Sequence, residues 1–167
     1  MVDFVGVLRT HLDYGIWANR KMMDAAVTLT EQELTRDFGT ADKSVAGTLA
    51  HIFGGDRAWL ARFENTPRAT FLDPEERTLA ALQREWPIVQ AGWTRWAAAI
   101  TEESAMTPIS YVDFRGNPWT QPAWQIVLHV VNHGTQHRGQ ISGFLRAMGH
   151  VPPAIDLHVY HRSINAL

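Results

Sequence analysis

The stretch HVVNHGTQHRGQISGFLRAMG, residues 129–149, decides how this chain folds and what it can carry. Wound at 3.6 residues per turn, residues 124–148 place Ile126, Val130, Ile141, Phe144 and Met148 on one arc, the pattern of a helix packed into a core. His137 falls inside that arc and His133 sits at its edge. Four residues apart, their imidazoles point to nearly the same side of the helix, about 40° apart around the axis and roughly 6 Å along it. Two such rings can clamp one divalent ion. His129 lies about 80° from His137 and roughly 12 Å along the axis, so one ion cannot take both. It groups with Gln136 and Gln140 on the polar flank. Imidazoles on a core-facing surface are costly unless their nitrogens find partners. A metal is one such partner, and a backbone carbonyl or a carboxylate is another.

Working outward, residues 3–28 repeat Phe4, Val7, Leu8, His11, Met22 and Ala26 at helical spacing, with Gly15 the one weak point. The polar stretch DFGTADKS, residues 37–44, reads as a turn, and Ser44 as the cap of a second helix running to about Phe63. Its stripe is Val45, Leu49, Ile52, Trp59, Leu60 and Phe63. In NTPRATFLDPEE, residues 65–76, Asp73 is placed to cap and Pro74 to open a third helix that runs to about Glu102, with Pro87 as a site for a kink. ISYVDFRGNPWTQP, residues 109–122, changes pattern: Ile109, Tyr111 and Phe114 flank a Gly116-Asn117 turn, giving a short hairpin or extended loop. The fourth helix stops near Gly149, ahead of Pro152 and Pro153. The tail, residues 154–167, reads as a packed segment with little regular structure. The expectation is an all-α four-helix bundle, one domain over residues 1–167, an architecture that commonly sets metal sites between facing helices.

Composition removes several classes of function. A formal charge of −2 with no basic stripe leaves no footprint for nucleic acid. The absence of cysteine removes disulfides, thiolate zinc sites and a cysteine nucleophile together, so any metal must take nitrogen and oxygen ligands. MVDFVGVLRTHLDYG lacks the plan of a secretory leader, and the longest apolar run is broken by Gln125 and His129, so a cytoplasmic protein off the membrane is expected. The tryptophans are large anchors for helix packing or, on another reading, for a dimer interface.

A histidine pair leaves a metal short of ligands, and by position His51 on the second helix is the best candidate for a third. It lies just outside that helix's apolar stripe, among Gly47, Gly55 and Ala58, small residues that let a neighbouring helix come close. His11, His150, His158 and His161 are read as packed or surface residues, and His129 as a surface residue or one placed behind a ligand. Asp56, Tyr14 and Gln140 are the candidates for acid or base work. Each also has a plain structural role: Asp56 as a cap or ion-pair partner, Tyr14 as core, Gln140 as a group that orients an imidazole.

LDYGIWANRKMMDA, TLAHIFGGDRAWLARF, HVVNHGTQHRGQISGFLRAMG and PPAIDLHVY, in this order and at these separations, resemble the DinB branch of the DinB/YfiT-like metal-binding superfamily. The resemblance spans nearly the whole chain. It implies a four-helix bundle with a divalent metal, nickel or zinc, held by His51, His133 and His137, and a homodimer. It also implies an enzyme that uses a low-molecular-weight thiol in transferase chemistry, with metal-water hydrolysis as the competing reaction. The alternative is a stress-associated metal or ligand-binding protein without catalysis.

Overall fold

In the computed structural model the described residues are 3–66, 72–113 and 115–165. Four long helices dominate: α1 (Phe4–Val27), α3 (Val45–Phe63), α4 (Leu79–Ala99) and α6 (Ala123–Ala147). Each packs along two neighbours, in the ring order α1, α6, α3, α4, while the diagonal pairs barely meet. Chain order therefore crosses the bundle diagonally twice. The first crossing carries the short helix α2 (Glu31–Thr35), and the second carries α5 (Glu102–Met106) and a hairpin of β1 (Pro108–Val112) and β2 (Pro118–Pro122). A terminal helix α7 (Leu157–Asn165) closes the described chain.

The starts of the helices follow local chemistry. Asp3 caps α1 through Gly6 N, Ser44 caps α3 through Gly47 N, and Thr78 caps α4 through Ala81 N. Thr30 and Glu33 form a reciprocal capping box that nucleates α2, a signal present in the sequence as Thr-x-x-Glu and passed over. The third long helix begins later than expected: Pro74–Arg77 is a separate 3-10 turn, and Thr78 starts the α-helix proper. It also ends earlier, at Ala99, because Thr101 caps the new helix α5 in which Glu102 sits. Pro87 lies within α4, which continues through it. The hairpin is as expected, antiparallel with Tyr111 opposite Trp119, and Gly116 takes the positive φ its turn requires. Phe114 and residues 67–71 of the proline-punctuated connection lie outside the described residues. The irregular tail is corrected to a helix, α7, whose Tyr160 is buried against Tyr14 and Trp17.

The apolar stripes largely hold. Val45, Leu49, Ile52 and Leu60 on α3 and Ile126, Val130, Ile141 and Phe144 on α6 are buried, whereas the core face of α1 is rotated toward Val5, Leu8, Leu12, Ala18 and Met22, leaving Val7 exposed. Inside the bundle lies a polar knot. Asp56 Oδ2 accepts from Asn19 Nδ2 at 3.1 Å and from Trp86 Nε1 at 2.9 Å, and its backbone carbonyl accepts from Trp93 Nε1 at 3.1 Å. Asn19 Oδ1 in turn accepts from Arg138 Nη1 at 2.7 Å. Two tryptophans are thereby fixed in the core by their N–H groups.

Burial is the main cause that raises the Asp56 carboxyl from its ordinary 3.8 to about 7, against the opposing pull of Trp86 and Arg138. The folded protein thus holds this proton more tightly than the unfolded chain. The associated stability is complete below the unfolded value and is lost as pH rises through about 7. In denaturant titrations, wild type should lose on the order of a few kcal/mol across that window relative to Asp56→Asn. Parallel stability curves for the two proteins would exclude a displaced Asp56 carboxyl.

Candidate metal centre

α3 and α6 lie side by side, and their facing surfaces carry His51, His133 and His137. One ligand-type nitrogen from each ring lies within 4.8 Å of the other two, and His51 Nε2 approaches His133 Nε2 to 2.9 Å. A missing side chain makes this approach possible. A Cβ at Gly55 would lie 3.1 Å from His133 Cε1, so α3 presents bare backbone where the His133 ring packs. His137 is buried, His133 half-buried and His51 exposed, so the cluster runs from core to surface.

One hydrogen bond and one carboxylate contact orient the two Nδ1 atoms. Nδ1 of His137 is 2.8 Å from Gln140 Oε1, and Nδ1 of His51 is 3.3 Å from Asp42 Oδ1. An amide oxygen and a carboxylate only accept, so both Nδ1 atoms carry the proton and both Nε2 atoms present lone pairs. Asp42 Oδ2 also stands 3.8 Å from His137 Nδ1, which places one carboxylate behind two imidazoles. Burial is the leading cause that lowers the pKa of His51, and it takes His133 to about 3 with help from the neighbouring imidazoles. His51 and His133 are therefore held toward the neutral, nitrogen-donor form. Two ring nitrogens at 2.9 Å need a proton or a cation between them. Metal–imidazole bonds of about 2.0–2.1 Å in tetrahedral geometry set two nitrogens roughly 3.3 Å apart, between the 2.9 Å of the His51–His133 pair and the 4.8 Å span of the cluster, so the donor set fits a divalent ion once the rings adjust around it.

Asp42 was not among the sequence candidates. It comes from the first diagonal crossing, two residues ahead of the Ser44 cap. Its backbone carbonyl occupies space that a Cβ at Gly47 would invade at 2.1 Å, and Phe38 N bonds to Lys43 O at 2.8 Å to close the turn. Only the turn-rich composition around it gave a signal. Gln140, read from the sequence as a polar-flank residue able to orient an imidazole, places its amide oxygen on His137 Nδ1.

The remaining candidates go elsewhere. Asp56 is enclosed in the core knot. Tyr14 donates its hydroxyl to Ile155 O at 3.0 Å, beneath α7. His11 bonds Val7 O on its own helix, His150 pairs with Glu33 at 2.8 Å, and His158 and His161 lie on α7 away from the cluster. His129 is exposed beside His133, with ring centres 5.8 Å apart, and stands edge-on to Trp59.

A cavity of about 280 Å³ opens beside the cluster, bounded by His51 and His133 and by Trp59, Arg62, Leu72 and His129. Tyr111 of the hairpin packs edge-on to Trp59 at 4.8 Å, so the second crossing buttresses this wall. A separate cavity of about 230 Å³, near the Arg57–Glu76 ion pair, has no histidine in its lining.

Fold and site together define a helical bundle with a three-histidine cluster able to hold a metal ion beside an open cavity. The DinB family matches residues 1–166, and the chain belongs to that family. It is similar to Protein DinB of Bacillus subtilis (strain 168), at 20% identity over 154 residues covering 89% of this chain and 90% of that protein.

His137→Ala should abolish metal binding in a chelator-competition titration, and His129→Ala should leave it within a few-fold of wild type. Asp42→Ala should weaken affinity by about 10- to 100-fold, the range for partners that orient a ligating imidazole. A wild-type affinity in Asp42→Ala would show that the carboxylate does not organise the cluster.

Proposed function

We propose that the protein is a metal-dependent enzyme of the thiol-transferase type, with nickel or zinc held by His51, His133 and His137. The observation that carries this reading is three imidazole nitrogens converging beside a cavity whose described lining contains no carboxylate. No fourth protein ligand joins the cluster among the described residues, which leaves a coordination position for an exogenous group, as in catalytic sites. A divalent ion there supplies Lewis acidity to whatever occupies that position.

The protein's own groups have definable tasks. His51 and His137 hold their Nε2 lone pairs inward because Asp42 and Gln140 keep the protons on Nδ1. His133 is held by packing against Gly55. Trp59 and Leu72 keep part of the cavity wall apolar. With no cysteine in the chain, a thiolate must come from a small-molecule cosubstrate. The lining suits that chemistry: Trp59 and Leu72 give an organic thiol an apolar surface, and a thiol with a pKa near about 8.5 ionises readily at a divalent ion without a general base, so the engagement of Asp56 and Tyr14 elsewhere is no obstacle.

Protein purified without a histidine tag should carry stoichiometric metal on elemental analysis; a metal-free protein that also fails to take up zinc or nickel would end both the enzymatic and the metal-storage readings. With cobalt in the site, titration with a low-molecular-weight thiol should raise a sulfur-to-metal charge-transfer band. A spectrum unchanged by every thiol would eliminate the transferase reading in favour of hydrolysis or plain binding.

A further inference from the structure

The cavity beside the histidines has an electrostatic character that the metal reading does not use. Two guanidinium groups border it, Arg62 from α3 and Arg77 from the end of the 3-10 turn, and no acidic residue is in its described lining. Among the described residues the ion pairs of arginine belong to Arg57, Arg84 and Arg95, and neither Arg62 nor Arg77 has one. Glu76, next to Arg77, is engaged with Arg57. In a chain of net charge −2, two cations without partners at one cavity are a local excess.

Arg62 is also held in a specific attitude. Its guanidinium carbon stands 4.2 Å from the centre of the Trp59 ring and 5.1 Å from that of Tyr111. The apolar rings satisfy the cation's face and offer no acceptor to its N–H groups, which remain available for an acceptor fork. Half-burial lowers the Arg62 pKa, as expected for a cation that has lost water and gained no counterion. Both arginines share the cavity lining with His51 and His133, which places the two cations at the mouth of the cluster. Apart from the histidines the rest of the wall, with Trp59, Leu72, Gly54 and Ala58, is apolar, and the volume lies at the small end of cavities that hold metabolite-sized ligands.

We infer that this cavity binds a small organic anion, its charged group taken by Arg62 and Arg77 and its apolar body lying against Trp59 and Leu72. The inference rests on reading the cavity as a substrate site, and it names the substrate class that site would take. Carboxylates and phosphate monoesters share the required chemistry: planar or clustered oxygens that accept from a guanidinium fork.

The test is calorimetric titration of the full-length protein, zinc-loaded and chelator-treated, with 3-phenylpropionate, phenyl phosphate and the neutral 3-phenylpropionamide. At least one anion should bind about ten-fold or more tighter than the amide, the scale of a charge-assisted hydrogen bond. The stronger of the two anions identifies the head group. Arg62→Gln and Arg77→Gln should each erase most of this preference while leaving amide affinity unchanged, and Arg62→Lys, which keeps the charge without the fork, should retain part of it. Thermal unfolding of each variant checks that it folds, and exposed Arg77 provides a variant that leaves the Trp59 stack in place. The preference should survive metal removal, which separates this inference from the metal reading: a cobalt protein blind to thiols with the anion preference intact would sink only the enzyme proposal. Equal affinity for amide and anions, no binding by any probe, or a preference that ignores both arginines and disappears in His137→Ala would overturn the anion site.

Discussion

A carboxylate buried at the centre of the bundle sets the register on which everything else depends. Asp56 of α3 draws hydrogen bonds from α1 through Asn19 and from α4 through Trp86 and Trp93, and Asn19 carries the connection on to Arg138 of α6. A polar group in this position is costly unless every helix stands where its donor can reach, so the knot penalises a sliding or rotated helix more sharply than apolar packing does. The histidines inherit that precision. His51 precedes Asp56 by five residues on α3, and His133 precedes Arg138 by five on α6. Five residues turn a helix by roughly 140°, so the same two helices show the knot to the core and the imidazoles to the cavity. The arrangement that aligns one aligns the other.

Within the cluster the three imidazoles are held by different physics. His51 and His137 are oriented electrostatically, by acceptors that choose the tautomer. His133 is oriented sterically, by the bare backbone of Gly55. Charge on His51 or His133 is opposed by burial and by the neighbouring imidazoles, which favours the neutral, nitrogen-donor form of both rings. Asp42 adds the one formal negative charge close behind the ligands. Its distances of 3.3 Å to His51 and 3.8 Å to His137 make it a shared support rather than a partner of either ring alone.

What could be read from the sequence divides along local and non-local physics. The i, i+4 histidine pair, the stripes of α3 and α6, the Ser44 cap and the hairpin turn are local patterns, and each reappears in the structure. His51 could be placed near the pair because small residues beside it promised close helix approach, and the packing of the His133 ring on the Gly55 backbone is that approach realised. Asp42 was not legible, because its role depends on a diagonal crossing that folds a turn back over Gly47, and nothing in nine residues of separation from His51 announces it. The same holds for Arg62 and Arg77, which belong to different elements and share a cavity only after α3 and the 3-10 turn are packed. Helix α7 was missed for a different reason: its sequence, LHVYHRSIN, is polar enough to read as loop, and what holds it is one buried ring, Tyr160, against aromatics of α1. The three histidines lie on regular helices and so leave a periodic trace in the sequence. The groups that orient them and charge the cavity lie mainly on the crossings and helix ends, where position is decided by tertiary packing and leaves no such trace.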